Sequence, residues 1–182
     1  MELLSTHPKM AFPETIFSIP TDSLYKQMLE NSNNFIAEQI LLLAANELSD
    51  TFQTKIAINY MKENYLKDLP DEPVWVDGSG LSRYNLVTPR SMVKLLEKIK
   101  NEVPYEELFA TLPVGGKTGT LKEQFYAPEP FIFAKTGSLS NNYNLSGFLK
   151  TKKGKMLIFS FMNNNFTAFS FTHLPLQTLF VV

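Results

Sequence analysis

The residues best suited to chemistry form the tripeptide Lys135-Thr136-Gly137, which follows the uninterrupted apolar stretch 131–134. Such a stretch favours a short buried strand, so we expect a strand to deliver the tripeptide. The lysine supplies a positive charge, the threonine a hydroxyl donor, and the glycine room for a ligand backbone. This combination suits a substrate that ends in a carboxylate. The alternative is an exposed turn with a solvated lysine, since the tripeptide alone is a weak motif.

A second candidate is Ser32-Asn33-Asn34, a polar break between two amphipathic helical segments. The alternative interpretation is helix capping, because serine and asparagine side chains satisfy free N–H groups at a helix start. The catalytic interpretation of Ser32 and Asn34 requires a partner motif downstream, and the K-T-G tripeptide is such a partner.

The heptapeptide at 77–83, Asp-Gly-Ser-Gly-Leu-Ser-Arg, is typical of a tight turn. We expect its glycines to serve mainly by allowing backbone angles that other residues avoid.

Three further motif matches fit their context poorly. Ser23-Leu24-Tyr25-Lys26 fits the nucleophile motif S-x-x-K, but it stands only a few residues before Ser32. Gly116-Lys117-Thr118 resembles a phosphate-binding loop, yet position 111, where the first glycine belongs, is threonine. Lys117-Thr118-Gly119 repeats K-T-G after a glycine turn rather than after a strand. We therefore predict that Ser23 is not the nucleophile and prefer the K-T-G at 135–137.

Helical periodicity dominates the first part of the chain, and strand signals dominate the last third. Thr88 followed by Pro89 is typical of a helix start. After the strand before K-T-G, further strands are predicted at 145–149 and 156–162, with a turn at 151–154. Helices followed by an antiparallel meander predict an α+β fold with layered architecture.

The composition excludes several classes of protein. The chain has 182 residues, 44% of them hydrophobic, and a net charge of -1, which is typical of a globular domain without affinity for nucleic acid. Cysteine is absent and the histidines are His7 and His173, so disulfides, thiolate sites and histidine metal clusters are excluded. Residues 1–12 do not fit a secretory signal, and no apolar stretch reaches the ~18 residues of a transmembrane segment.

Three motifs in this order resemble class C penicillin-binding proteins, the D-alanyl-D-alanine carboxypeptidases and endopeptidases that trim peptidoglycan. They are S-x-N at Ser32–Asn34, D-G-S-G-L-S-R at Asp77–Arg83 and A-K-T-G-S-L at Ala134–Leu139. Residues 112–121 and 143–147 fit as well. The resemblance implies the C-terminal part of the α/β/α fold shared with serine β-lactamases, a periplasmic or cell-envelope location, and neither a metal nor an organic cofactor.

The resemblance also implies a mechanism. In the family, the serine of an S-x-x-K motif attacks the D-Ala-D-Ala peptide bond, an acyl-enzyme forms, and water hydrolyses it. Ser32 would match the serine that relays protons and orients the lysine of S-x-x-K. Asn34 would bind the substrate amide, and Lys135 would shape the electrostatic field around the serines.

For the substrate, the resemblance implies a peptidoglycan stem peptide that ends in D-Ala-D-Ala, with β-lactams as mimics that acylate the same serine. Thr136 would bind the terminal carboxylate, and Gly137 and Ser138 would complete the wall, with the Ser138 N–H as an oxyanion donor.

The sequence departs from the family at both ends. S-x-x-K should precede S-x-N by a long stretch, so we expect the nucleophile to lie outside this chain and only about three strands of a larger sheet to be present. We expect one partial domain over 1–182, with a loop-like segment at 1–20, a family-like part at 21–165 and an atypical tail at 166–182. The tail forms an extra strand or stays irregular. The alternative to an enzyme is a non-catalytic remnant, or a module that binds peptidoglycan or β-lactams without a nucleophile.

Overall fold

The computed structural model describes residues 19–165 and the short strand at 179–181. In these residues five α-helices and a 3-10 turn precede an antiparallel sheet. The helices are α1 (Thr21–Asn31), α2 (Asn34–Ser49), α3 (Thr54–Asn64), α4 (Pro89–Glu102) and α5 (Tyr105–Thr111), and the 3-10 turn is Gly119–Leu121. The strands are β1 (Ile132–Leu139), β2 (Asn142–Lys150), β3 (Met156–Asn164) and β4 (Leu179–Val181).

Helix α4 begins where the sequence predicts. Thr88 Oγ1 accepts a hydrogen bond from the Ser91 N–H at 3.3 Å, and Pro89 takes the first helical position, where no N–H is needed. Val93 of α4 then packs with Leu108 of α5 against Phe148 of β2, a fully buried ring. Helices α4 and α5 therefore cover one face of the sheet.

The sheet has the strand order β1-β2-β3-β4, and every neighbouring pair is antiparallel. Asn141, with a φ of 67°, lies in the short turn between β1 and β2. The turn between β2 and β3 is closed by the Gly154 N–H, which donates to the Thr151 carbonyl oxygen at 2.9 Å. The predicted turn at 151–154 is thus confirmed.

Two predictions about strands need correction. Strand β1 does not end before K-T-G but continues through it to Leu139, because pairing with β2 from Asn142 onwards extends it beyond the apolar residues. The backbone at 179–181 pairs with β3, so the described residues form four strands rather than three, as the extra-strand alternative for the tail anticipated. The predictions for 1–18, 166–178 and 182 lie outside the described residues.

The described residues form three apolar core clusters. On the face of the sheet opposite α4 and α5, Leu121, Leu145 and Phe159 belong to one cluster. Another cluster joins α2 to α3 and includes Leu41 and Ala45 of α2.

Helices packed on a sheet confirm the α+β class with layered architecture. Of the helices in the described part of the chain, none has the length and apolarity that a membrane crossing requires.

Candidate active site

A cleft of about 700 Å³ opens between the end of α1, the loop at 78–83 and strand β1. It brings together motifs that are 103 residues apart in the sequence. All the residues predicted for catalysis or substrate binding line it: Ser32, Asn34, Lys135, Thr136, Gly137 and Ser138.

The chain turns sharply at Ser32, between α1 and α2. Ser32 has a φ of 51° and a ψ of 48°, a left-handed conformation that residues other than glycine rarely adopt. Asn33 caps α2, because its Oδ1 accepts a hydrogen bond from the Ile36 N–H at 3.0 Å. Capping is therefore the role of Asn33, and the side chains of Ser32 and Asn34 are not used as caps.

Lys135 links the two motifs across the cleft. Its Nζ donates hydrogen bonds to Ser32 Oγ at 2.8 Å and to the Thr136 carbonyl oxygen at 2.7 Å. Burial lowers the pKa of the Lys135 ammonium, because desolvation disfavours the charged form. Within the described ranges no carboxylate forms an ion pair with Lys135 and offsets this effect.

The outer edge of β1 is open at its C-terminal end. On the side of β1 away from β2, the Ile132 carbonyl oxygen accepts a hydrogen bond from the Gly115 N–H, and the Ala134 N–H donates to the Pro113 carbonyl oxygen, each at 3.0 Å. Because these groups alternate along an antiparallel strand with a period of two, the N–H groups of Thr136 and Ser138 also point outward. They donate to no backbone acceptor of the described residues.

Thr136 and Gly137 both line the cleft, and Gly137 leaves room there for a ligand. The Thr136 hydroxyl donates to Thr120 Oγ1 at 2.7 Å, which fixes its orientation. A Cβ placed on Gly137 would approach no atom closer than 3.9 Å, the distance to Asn144 Cβ. Packing within the chain therefore does not require glycine at 137.

Beyond K-T-G the floor of the cleft is rich in asparagine. The strand register aligns Gly137 with Asn144 and Met162, and Leu139 with Asn142 and Asn164. These residues all line the cleft. Asn144 Oδ1 is buried and has no hydrogen-bond partner among the described residues, an arrangement that a bound polar group would relieve.

The loop at 77–83, called the glycine loop below, forms the opposite wall. Glu38 Oε2 on α2 accepts hydrogen bonds from two successive N–H groups of this loop, each at 2.8 Å. A Cβ on Gly78 would lie 2.9 Å from the Ala37 carbonyl oxygen, so glycine is required by close approach to α2. At Gly80 the φ of 75° is the unusual backbone angle that the sequence predicts.

Asp77 stabilises the glycine loop from within. Burial acts against its charged form, but Asn85 Nδ2 donates to Oδ1 at 3.0 Å, and the N–H groups of Gly80 and Ser82 donate at 2.8 and 3.0 Å. Together these hydrogen bonds hold the pKa of the Asp77 carboxyl below its ordinary value.

The charge of the cleft has one sign. The charged residues in its described lining are Lys135 and Arg83, and both are cationic. Arg83 Nη2 lies 3.5 Å from the Ser140 carbonyl oxygen, which places it between the glycine loop and the β1–β2 turn. An anionic ligand therefore meets attraction and no opposing carboxylate in this lining.

Two S-x-x-K tetrapeptides lie outside the cleft. Ser23 and Lys26 are exposed on α1, and Ser23 is about 13 Å from Ser32 along the helix axis at the usual rise per residue. Sequence reasoning overlooked the second match, Ser91 to Lys94, on α4. Ser91 is fully buried, and its hydroxyl donates to the Asp71 carbonyl oxygen at 2.9 Å. Neither serine lines the cleft.

The second K-T-G, at 117–119, is a structural turn. Thr118 Oγ1 accepts a hydrogen bond from the Val114 N–H at 3.1 Å, and Gly119 has a φ of 59°. A Cβ on Gly119 would lie 2.8 Å from the Glu30 carbonyl oxygen, so this turn packs against the end of α1. It contributes Thr120, the partner of Thr136, to the surroundings of the site.

Sequence reasoning missed Glu38, Arg83, Asn142 and Asn144 as parts of the site. Asn142 and Asn144 alternate with the buried Tyr143 and Leu145, a period-two pattern that indicates a polar strand face. Glu38 gives no such signal, because its partners stand 40 and 41 residues further along the chain.

Comparison with known proteins identifies relatives of the chain. The profile of the D-Ala-D-Ala carboxypeptidase 3 (S13) family matches residues 15–173. D-alanyl-D-alanine carboxypeptidase DacB of Haemophilus influenzae is 31% identical in an alignment of 151 residues that covers 78% of this chain and 31% of that protein. The D-alanyl-D-alanine carboxypeptidase of Actinomadura sp. (strain R39) is 40% identical in an alignment of 95 residues that covers 48% of this chain and 18% of that protein.

A solved structure shares the fold. Penicillin binding protein 4 (dacB) from Haemophilus influenzae, crystallised with a β-lactam, superposes with a TM-score of 0.73 at 28% sequence identity. The match covers 84% of this chain and 37% of that protein. The chain thus spans about a third of the length of the first curated relatives that it matches.

Proposed function

Because the chain belongs to the D-Ala-D-Ala carboxypeptidase 3 (S13) family, we propose that it forms the substrate-binding side of a serine-type D-Ala-D-Ala carboxypeptidase or endopeptidase. The observation that carries the proposal is the hydrogen bond of 2.8 Å from Lys135 Nζ to Ser32 Oγ, which joins the S-x-N and K-T-G motifs in one cleft. The substrate is a peptidoglycan stem peptide that ends in D-Ala-D-Ala. β-Lactams occupy the same cleft, and the protein acts in the periplasm or cell envelope.

The terminal carboxylate of the substrate binds at the cationic end of the cleft. When the ligand binds, the Thr136 hydroxyl turns from Thr120 Oγ1 and donates to this carboxylate. Lys135 and Arg83 supply positive potential without opposition from a carboxylate in the described lining. Asn34, at the first turn of α2, hydrogen-bonds the substrate amide.

The open edge of β1 accounts for how the scissile bond is placed. A peptide that lies along this edge adds to the sheet as a further strand. The outward N–H of Ser138 then donates to the carbonyl oxygen that becomes the oxyanion. Gly137 leaves space for the peptide, because packing inside the chain does not use that space.

The acylating serine belongs to an S-x-x-K segment in this mechanism, and Ser32 relays its proton. Neither S-x-x-K match in the described part of the chain reaches the cleft. That observation favours a second candidate function, a non-catalytic module that binds D-Ala-D-Ala peptides or β-lactams. Release of D-alanine from a bound peptide separates the two, because only an enzyme produces it.

Calorimetric titration with N-acetylated Lys-D-Ala-D-Ala tests the binding that both functions share. We expect the free carboxylate form to bind at least about tenfold more tightly than its C-terminal amide, since a charge-assisted hydrogen bond is worth about 1.5–3 kcal/mol. Lys135→Met should weaken binding of the carboxylate form. Lys150→Met, which removes an exposed lysine from the far end of β2, is the matched control. Equal affinity for acid and amide would refute the proposal.

A further inference from the structure

A second pocket, of about 370 Å³, lies between α3, α4 and the segment that joins these helices. It adjoins the cleft, because the two share part of their lining at Gly78, Gly80 and 85–87. We propose that this pocket, called the apolar pocket below, binds the alkyl chain of a small amphiphile and leaves the head group in water. The inference does not depend on the proposed function.

The wall of the apolar pocket consists mainly of hydrophobic side chains. They include Met61, Leu66, Leu69, Trp75, Met92 and Leu95. Met61, Leu69 and Met92 belong to none of the three core clusters of the described residues, so the pocket is a gap between packed regions. The two methionines have unbranched, polarizable side chains, which adapt to apolar ligands of different shape.

The polar side chains of the lining already have partners. Trp75 Nε1 donates to the Asp77 carbonyl oxygen at 2.7 Å, and Asn85 Nδ2 donates to Asp77 Oδ1 at 3.0 Å. The buried Ser91 hydroxyl donates to the Asp71 carbonyl oxygen and accepts from the Asp71 N–H, each at 2.9 Å. In the described part of the chain, no buried polar side-chain atom of this lining lacks a partner. A ligand inside the pocket is therefore held by apolar contacts, and a polar group placed there would lose its hydrogen bonds to water.

The volume of the apolar pocket favours a chain over a single inserted side chain. An apolar cavity of about 150 Å³ accommodates benzene, and this pocket has more than twice that volume. One side chain of a protein partner would leave most of the pocket empty, whereas a run of methylene groups can fill it. Leu66 in the lining is buried, while Val74 and Leu86 are 49% and 59% exposed. A chain that enters beside Val74 and Leu86 therefore keeps its head group at the surface.

Trp75 makes occupation of the apolar pocket observable. It is the one tryptophan of the chain, and its half-buried ring belongs to the lining. Because bromine quenches tryptophan fluorescence on contact, ω-bromooctanol should quench Trp75 in a saturable manner. Unbrominated octanol should restore the fluorescence by competition. Bromoethanol, which carries the bromine without the chain, should cause no saturable quenching at the same concentrations.

A series of competing alcohols measures how much chain the apolar pocket holds. Burial of one methylene group tightens a Kd by about fourfold. We expect steps of this size from butanol through hexanol to octanol, because the pocket has room for a chain rather than for one side chain. Steps that already end at butanol would indicate a pocket for a single side chain of a partner and would overturn the inference.

A pair of variants locates the binding site. Leu69→Asp places a carboxylate in the wall, so octanol should bind at least about tenfold more weakly, since an alkyl chain cannot compensate a charge for lost water. Leu43→Asp is the matched control, because it introduces the same charge at an exposed leucine of α2 outside the lining. Its affinity for octanol should equal that of the parent. Circular dichroism establishes that both variants fold.

Competition on the unmodified chain decides the question even when Leu69→Asp fails to fold. Quenching that octanol does not relieve, or equal quenching by bromoethanol, would contradict a site for an alkyl chain. Equal losses of affinity in the two folded variants would contradict its location. Calorimetry with the D-Ala-D-Ala peptide tests the proposed function separately, so failure of one proposal is distinguishable from failure of the other.

Discussion

Gly147 is the position at which a single methyl group should separate strands β1 and β2. A Cβ there would lie 2.3 Å from the Phe133 carbonyl oxygen and 2.5 Å from Ala134 Cα, and no change of rotamer moves these backbone atoms. Ordinary contacts begin near 3.4 Å, so Gly147→Ala must displace one strand by about 1 Å in a close-packed interior. We expect overpacking to cost about 1–3 kcal/mol, and each ladder hydrogen bond that the shift breaks to cost about 1 kcal/mol more.

Urea unfolding followed by circular dichroism measures this loss of stability. With a slope of about 2 kcal/mol/M, a loss of 2 kcal/mol lowers the urea midpoint by about 1 M. Gly137→Ala is the matched control on the same strand pair, because its Cβ would meet nothing closer than 3.9 Å. We expect its free energy of unfolding to stay within about 0.5 kcal/mol of the parent's, and its affinity for the D-Ala-D-Ala peptide to fall. Equal midpoints for the two variants would refute the reasoning.

Three further predictions concern the walls of the cleft and its support. Glu38→Ala should destabilise the chain by about 1–3 kcal/mol in urea unfolding and weaken peptide binding, because two N–H groups of the glycine loop lose their acceptor. The control Glu47→Ala, on the same helix, should change neither the stability nor the binding. Thr136→Val should weaken peptide binding by about tenfold in calorimetry and leave the urea midpoint near that of the parent, since it removes a donor to the ligand while it keeps the shape. Hydrogen bonds from the Arg90 guanidinium and the Thr88 hydroxyl lower the pKa of Asp71 to about 2, so its contribution to stability is present above its ordinary pKa of 3.8 and lost as the pH falls through about 2. Thermal melts at a series of pH values should therefore show that Asp71→Asn loses less stability than the parent between about pH 4 and about pH 2. Parallel curves of melting temperature against pH for the two proteins would contradict the linkage.

The residues that meet in the cleft could be predicted from the sequence because they lie in contiguous motifs. Ser32 and Asn34, like Lys135 and Thr136, are recognisable by type and spacing, and the structure places them all in one cleft. The fold class also followed from local signals, such as the start of α4 at Pro89. These features depend on neighbours in sequence, which a single chain displays directly.

The remaining features depend on contacts between distant residues. The extension of β1 through K-T-G is stabilised by pairing with β2, and the tripeptide itself lacks the apolar signal of a strand. Asn144 enters the cleft only because its register places it beside Gly137. Likewise, the role of Asn33 as the cap of α2, rather than Ser32 or Asn34, was decided by the left-handed turn at Ser32, which no local propensity predicts for serine.

Helix α2 explains how two walls of the cleft keep their spacing. Asn34 begins the helix, Glu38 one turn later binds the glycine loop, and Leu41 a turn further lies beneath Gly78. Residues spaced by three or four share one face of a helix, so this single face holds both the S-x-N motif and the loop. Ala45, on the next turn, is fully buried in the cluster shared with α3. Because α3 anchors the same face of α2 further along the helix, at Leu41 and Ala45, a substitution that loosens that cluster should disturb both walls together without contact with the ligand.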